Sequence, residues 1–343
     1  MTPPGERDAP PVAPAFDPAV IIEAVTAMLL GESPHLRRDE VYELSGVEPD
    51  VARARWRALG FPETDDEAAA FTQADVEALR LTQELLELGV IDPDNEQAFI
   101  RTIGRAYARL AEWQVRTFLG TIDPDISEED GGIGQLNQLE TIIPLGERVQ
   151  SYVWRRHLAN AASRLLLTES DDTEAAPTCV GFADIVGYTT RARRMSGPEL
   201  AALVDRFDEV TTGIITDHHG RVVKTIGDEV LFAVDEPAAA ARIALELLDQ
   251  HLADDSFPEV RIGMAFGKVL NRMGDVYGPV VNVASRLTKV ARPGRAVIDR
   301  DLAAMLHDDD ELRVKRLRRT SVKGYEHLEP WSLKRPREET RPR

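Results

Sequence analysis

Residues 221–234, RVVKTIGDEVLFAV, read as two short strands folded back on each other around Gly227 and Asp228. Val222, Val223, Ile226, Val230, Leu231, Phe232 and Val234 supply the β-branched and aromatic side chains, and Gly-Asp is a tight-turn pair. Before this hairpin lies TCVGFADIV at 178–186, a third strand. Between them, SGPELAALVDRFDEVTTGIITDHHG at 196–220 puts Leu200, Leu203, Phe207, Val210 and Ile214 on one helical face. Ser196 and Glu199 have capping-box spacing at its start, and Gly220 closes it. After the hairpin come an Ala-rich helix from Pro237 to about His251 and a strand in which Val260, Ile262, Met264 and Phe266 alternate. The order strand, helix, strand, strand, helix, strand predicts an α+β ferredoxin-like (βαββαβ) fold, with the helices on one face of the sheet.

Upstream the pattern is all-helical. Residues 1–16 are Pro-rich and aperiodic, predicting a disordered leader, and Asp17 followed by Pro18 marks the start of order. Over residues 17–167 helical periodicity dominates; Ala74, Ala78, Leu81, Leu85 and Leu88 recur at spacings of four and three and predict one face of a helix that Gly89 ends. Acidic, proline-ended residues 168–177 predict a linker between this all-α domain and a second domain at 178–333, and residues 334–343 form a basic tail.

Composition narrows the function. The chain has 343 residues, 41 Lys+Arg and 59 Asp+Glu, a net charge of −18, which argues against nucleic acid as the main partner. The single cysteine, Cys179, excludes an internal disulfide and fits a reducing cytoplasmic location. Apolar runs are too short to span a membrane; the best, Ala19 to Leu30, is interrupted by Glu23.

The polar residues around the strand ends suggest the chemistry. Asp184 ends the first strand and Asp228 sits in the hairpin turn, and central neighbouring strands can bring them together. Paired carboxylates suit hard divalent cations, Mg²⁺ or Mn²⁺, which prefer oxygen ligands and leave positions open for phosphate oxygens. Asn282 and Arg286 are four apart in VNVASR and so share a helix face.

FADIVGYT (182–189), KTIGDEVLFA (224–233) and GDVYGPVVNVASRL (274–287) together resemble the motif set of the class III nucleotidyl cyclases, over about Pro177 to Leu333. The resemblance implies cyclisation of a nucleoside triphosphate at two divalent metal ions, Mg²⁺ or Mn²⁺, in each active site. Asp184, Asp228 and the Ile185 carbonyl would hold the metals, and the amides of Val186, Gly187, Tyr188 and Thr189 would support the triphosphate. Asn282 would orient the ribose, and Arg286 would stabilise the transition state. Lys224 and Asp275 would read the base. A Lys donor and an Asp acceptor match N1 and the 6-amino group of adenine, so the substrate is expected to be ATP. A guanylyl cyclase is the first alternative. Lys323, in SVKGYEHLEPW, matches a family position that reaches the triphosphate. The family divides these residues between two active sites, which implies a head-to-tail homodimer with two shared sites.

The first half resembles the regulatory domain of soluble actinobacterial adenylyl cyclases, on segments such as RRDEVYELSGV, RWRALGFPE, FTQADVEAL and YVWRRHLANAASRLL. That implies autoinhibition relieved at acidic pH, with His157 on the last helix before the linker as the candidate proton reader, and His35, His218 and His219 as further candidates. Residues 36–91 also look like a MerR-type helix-turn-helix, which would make a non-catalytic, DNA-binding sensor. Six basic against thirteen acidic residues in that stretch oppose phosphate contact.

Overall fold

The computed structural model describes residues 18–121, 133–167, 177–318, 320–322 and 325–336. The chain divides into a unit ending at Leu165 and one beginning at Leu166. The expected leader, the residue Asp17, Lys323 and all but the last residue of the expected linker lie outside the described residues, as does most of the tail.

The first unit is helical, with α1 (Pro18–Leu30), α2 (Arg38–Ser45), α3 (Pro49–Leu59), α4 (Gln73–Glu87), α5 (Glu96–Thr121) and α6 (Ile133–Leu167). Gly46 and Gly60 terminate α2 and α3 in left-handed conformations that glycine adopts without penalty. Thr72 and Asp75 cap α4: the Thr72 amide and hydroxyl donate to Asp75 Oδ2 at 2.7 and 2.9 Å. Val41, Val47, Ala52, Phe71, Val76 and Leu79 form the core, and the Trp56 ring lies 4.7 Å from that of Phe61 and 5.2 Å from that of Phe71.

The expected helix is present as α4, but its face of Ala74, Ala78, Leu81, Leu85 and Leu88 is not the one that packs. Leu81, Leu85 and Leu88 are exposed, and Val76 and Leu79 make the core contact. This helix is apolar on more than one side, so spacing alone cannot choose the packed face; α2 and the Phe71 strand-like bridge to Leu36 choose it.

A nearly buried ion pair joins α3 to the start of α5. Arg55, 3% exposed, donates through Nε to Glu96 Oε1 at 2.5 Å and through Nη2 to Gln83 Oε1 at 2.9 Å. Truncating one member leaves the other charge buried and uncompensated. Glu96→Ala, which strands the more deeply buried Arg55 cation, is therefore expected to cost the first unit about 3–5 kcal/mol, whereas Arg55→Met, which leaves the more exposed Glu96 carboxylate, should cost less. Urea unfolding of the two variants followed by tryptophan fluorescence tests this; equal, small losses would show the pair to be stability-neutral.

The second unit is built on a mixed sheet. Its strands and helices are β1 (Pro177–Ile185), α7 (Tyr188–Ala192), α8 (Gly197–Asp217), β2 (Arg221–Ile226), β3 (Glu229–Val234), α9 (Pro237–Ala253) and β4 (Val260–Lys268). They are followed by β5 (Leu270–Arg272), β6 (Asp275–Tyr277), α10 (Pro279–Val290), β7 (Ala296–Ile298) and α11 (Arg300–Met305). The last are β8 (Arg313–Arg316), β9 (Thr320–Val322), β10 (Tyr325–Leu328) and β11 (Trp331–Lys334). Seven strands run in the order β2-β3-β1-β4-β7-β11-β8, and β5–β6 and β9–β10 are separate hairpins. The first four are the ferredoxin-like βαββαβ core, with β1 antiparallel to both β3 and β4. As expected, Ser196 and Glu199 cap α8 reciprocally.

Helices cover both faces of the sheet, not one. Cys179, Ala183 and Ile185 face the layer of α8, α9 and α11. The alternate residues Val180 and Phe182 pack with Ala284 and Leu287 of α10 on the other side. In β4 the residues between the expected alternating set, Gly263 and Ala265, are buried as well, because α10 lies against them. Among the described residues, no helix is long and apolar enough to cross a membrane.

Candidate active site

Strand periodicity places Asp184 on the α10 face, two residues beyond Phe182. Its neighbours across the ladder are Glu229 on β3 and Arg261 on β4. Three adjacent strands thus present a row Glu229–Asp184–Arg261 at one end of the sheet. Arg261 approaches Asp184 Oδ2 with both Nε and Nη2 at 2.5 Å, in a site where the Asp184 side chain is 12% exposed.

Gly227, at φ +65°, permits the tight reversal between β2 and β3, and the Ile185 amide donates to the Asp228 carbonyl at 3.1 Å. That bond hooks the turn over the end of β1, so Asp184 and Asp228 come together as the strand order predicts. Burial raises the Asp184 carboxyl above the usual range; Arg261 opposes the rise and the Asp228 charge adds to it. Glu229 is pushed up to about 7, first by burial and then by Asp184 and Asp228, against the pull of Lys289 and Arg261.

These observations test the fit of a metal. Asp228 is near enough for its charge to act on the nearly buried Asp184, and both supply the oxygen ligands a hard divalent cation prefers; on Asp184 such a cation would take the place that the Arg261 guanidinium holds. Among the described residues no three His, Cys, Asp or Glu side chains converge on one point. Remaining ligands would be backbone, water or substrate oxygens, which is how Mg²⁺ is usually held.

Lys224 on β2 donates its Nζ to Asp275 Oδ2 on β6, and the Val276 amide donates to Asp275 Oδ1 at 2.8 Å. Arg221 ties the same two regions together through Asn271 Oδ1 at 2.8 Å. Partial burial raises the Asp275 carboxyl, but the hydrogen bonds from Lys224 and the Val276 amide outweigh it and hold the group below its ordinary range.

Asn282 and Arg286 lie one turn apart on α10, Asn282 exposed and Arg286 half-buried. Neither side chain makes a hydrogen bond or ion pair among the described residues. In the turn after β1, the Val186 amide is already committed to the Glu259 carbonyl at 2.8 Å, which corrects the expectation that it is free for a ligand. Gly187 is left-handed and precedes α7, which contains Tyr188 and Thr189. His157 is exposed on α6, while His218 Nε2 lies 2.8 Å from Glu246 Oε2.

Sequence reading missed Arg261 and Glu229. Arg261 had a signal, as a charged residue inside the otherwise apolar run VRIGMAF, but its partner is defined only by strand register.

Residues 171–335 match the model of the adenylate and guanylate cyclase catalytic domain. An adenylate cyclase of Glutamicibacter nicotianae is 35% identical, over 93% of this chain and 84% of the relative. One from Streptomyces coelicolor is 38% identical, over 85% and 77%. A Mycobacterium tuberculosis protein described as a pH-sensitive adenylate cyclase is 31% identical, over 87% and 76%. With motifs, fold and near full-length similarity in agreement, the chain belongs to the class III adenylate cyclases.

Proposed function

We propose that the chain converts ATP to 3′,5′-cyclic AMP and pyrophosphate in a reducing cytoplasm, at sites shared by a head-to-tail homodimer. The 3′-hydroxyl gives its proton to solvent water, its oxygen bonds to the α-phosphorus, and the bond from that phosphorus to the pyrophosphate oxygen breaks. Asp184, Asp228 and the Ile185 carbonyl would hold two divalent cations, Mg²⁺ or Mn²⁺, which when bound would supply Lewis acidity toward the 3′-hydroxyl and neutralise phosphate charge. Arg286 neutralises charge building on the equatorial oxygens, and Asn282 fixes the ribose so that attack is in line. The amides of Gly187, Tyr188 and Thr189, with Lys323, support the triphosphate. The exposed, unengaged state of Asn282 and the free hydrogen-bonding capacity of Arg286 favour their use on a substrate bound to the partner's aspartates.

The observation that carries the choice of ATP is the Lys224–Asp275 contact. It sets a donor beside an acceptor, complementary to adenine N1 and its 6-amino group; guanine presents the reverse pattern. Residues 17–167 are assigned a regulatory role, with acidic pH relieving inhibition and His157 as the proton reader. A pH-sensitive relative that shares the helical region supports this.

Full-length protein and a chain beginning at Asp171 should be assayed with ATP and with GTP, each with Mg²⁺ and Mn²⁺, from pH 5.5 to 8. Cyclic AMP is the expected product, and the shorter chain is expected to be more active at neutral pH. No cyclic product from ATP would reject the enzymatic reading. Preference for GTP would move it to guanylyl cyclase, and identical pH profiles would remove the regulatory role.

A further inference from the structure

β2 and the β5–β6 hairpin belong to different sheets, yet two polar contacts join them: Lys224 Nζ to Asp275 Oδ2, and Arg221 Nη2 to Asn271 Oδ1 at 2.8 Å. Arg221 and Lys224 are three residues apart, a spacing that in a regular strand sends two side chains to opposite faces. An irregularity in β2 changes this. Arg221 pairs with Ala233 and Val222 with Phe232, but the next residue of β3, Leu231, pairs with Lys224, so Val223 is the extra residue of a β-bulge. Ala233 and Leu231 are alternate residues of β3, which returns Arg221 and Lys224 to one face of the sheet. That face is the one α10 covers, because Leu231 packs with Ala284, Leu287 and the hairpin residue Val276.

On the hairpin, cross-strand partners share a face. Asn271 pairs with Val276 and Arg272 with Asp275, so Asn271 and Asp275 stand on opposite faces. β2 therefore holds the hairpin by one residue on each side. Val276, 3% exposed, plugs β6 into the core, whereas Leu270, Asn271 and Arg272 are all exposed. Packing thus fixes the hairpin near one point and leaves its angle to the two side-chain ties.

We propose, on the reading of Lys224 and Asp275 as the adenine pair, that Arg221 and Asn271 are specificity-determining positioning residues. The Val223 bulge turns Arg221 toward the hairpin, and its bond to Asn271 holds the hairpin at the angle that sets Asp275 against Lys224. Donor and acceptor then keep the spacing of adenine N1 and its 6-amino group. With the tie cut, the hairpin rocks about Val276, the Asp275 acceptor shifts relative to Lys224, and an amino group is told from a carbonyl less sharply. Arg221 and Asn271 act through Asp275 and not on the reacting atoms.

Full-length Arg221→Ala, Asn271→Ala, their double variant, Asn271→Asp and Asp275→Ala should be compared with wild type by initial rates against ATP and GTP at fixed Mn²⁺, with a melting curve for each. Loss of the one hydrogen bond in Asn271→Ala is expected to raise the KM for ATP about two- to tenfold and to lower the ratio of kcat/KM for ATP over GTP by a similar factor. The change in kcat should be smaller, and the melting temperature should stay within about 2 °C of wild type because the contact lies at the surface. Asn271→Asp keeps an acceptor for Arg221 and should match wild type, and the double variant should lose no more than Arg221→Ala alone. Lower kcat and melting temperature with KM and selectivity unchanged would make the pair merely structural and overturn the inference, as would additive losses in the double variant or an Asn271→Asp protein no better than Asn271→Ala. If Asp275→Ala erases the ATP preference but Asn271→Ala matches wild type in KM and selectivity, the inference is wrong and the adenine reading survives. If Asp275→Ala keeps full selectivity, the adenine reading fails, and this inference with it.

Discussion

Asp184→Ala protein and Arg286→Ala protein are each expected to lose at least about a hundredfold in activity, yet to regain it when mixed. The first lacks a carboxylate from the row that the sheet holds at the end of β1; the second lacks the cation on α10. In a dimer with sites shared across a twofold axis, a mixed pair has one site with both groups intact and one with both missing. Equal mixing gives half mixed dimers with one working site in two, so recovery should reach about a quarter of wild type. Varying the ratio should trace a maximum at equal amounts. A mixture that never exceeds the average of its two components would place both residues in a site made by one protomer.

The Asp184 substitution removes more than a ligand. Arg261 presents two nitrogens to Asp184 Oδ2, and Glu229 lies beside it on β3. In the alanine variant Arg261 loses its partner, and a neighbouring negative charge disappears. The group at Glu229 that burial and Asp184 together push up to about 7 should then ionise at lower pH.

The core topology was legible because its signals are local. Alternation in β4, the Gly227-Asp228 turn and the Ser196–Glu199 capping box are each read within a few residues, and together they dictate the order β2-β3-β1-β4. The meeting of Asp184 and Asp228 follows from that order without any further information. What stayed hidden depends on register or on choice of partner. Arg261 becomes a neighbour of Asp184 only when Asp184 is paired with it across 77 residues of chain. Leu81, Leu85 and Leu88 satisfy helical spacing as well as Val76 and Leu79 do, and only the packing of α4 in the first unit separates them. The second helical layer was missed because Gly263 and Ala265 look like neutral positions between Ile262, Met264 and Phe266. Small residues on a strand are what lets a helix come close, and composition cannot distinguish that from exposure.

Gly263→Ala turns that omission into the second large expected effect. A methyl group built on Gly263 would lie 2.5 Å from the Ala284 carbonyl oxygen, and closer still to the Thr288 amide nitrogen and hydroxyl. These are backbone atoms and a buried hydroxyl already bonded to the Ala284 carbonyl at 2.9 Å, so no flexible side chain can yield. Gly263 lies in ordinary strand conformation, which leaves space as the cause of the damage. Overpacking of this kind costs about 1–3 kcal/mol, and in a domain of this size that lowers the melting temperature by about 3–10 °C. To relieve the clash α10 has to move away from β4, carrying Asn282 and Arg286 with it. Displacement of a catalytic group by about 1 Å costs on the order of a hundredfold in rate, so kcat should fall more than stability alone explains. Gly213→Ala provides the comparison. It lies inside α8 with nothing near its missing methyl group, so the change should be neutral or stabilise by about 0.5–1 kcal/mol, with activity retained. If Gly263→Ala melts like wild type and keeps its kcat, the close approach of α10 to β4 is not what positions Asn282 and Arg286. A variant that melts lower but retains full kcat at 20 °C would confine the glycine to stability.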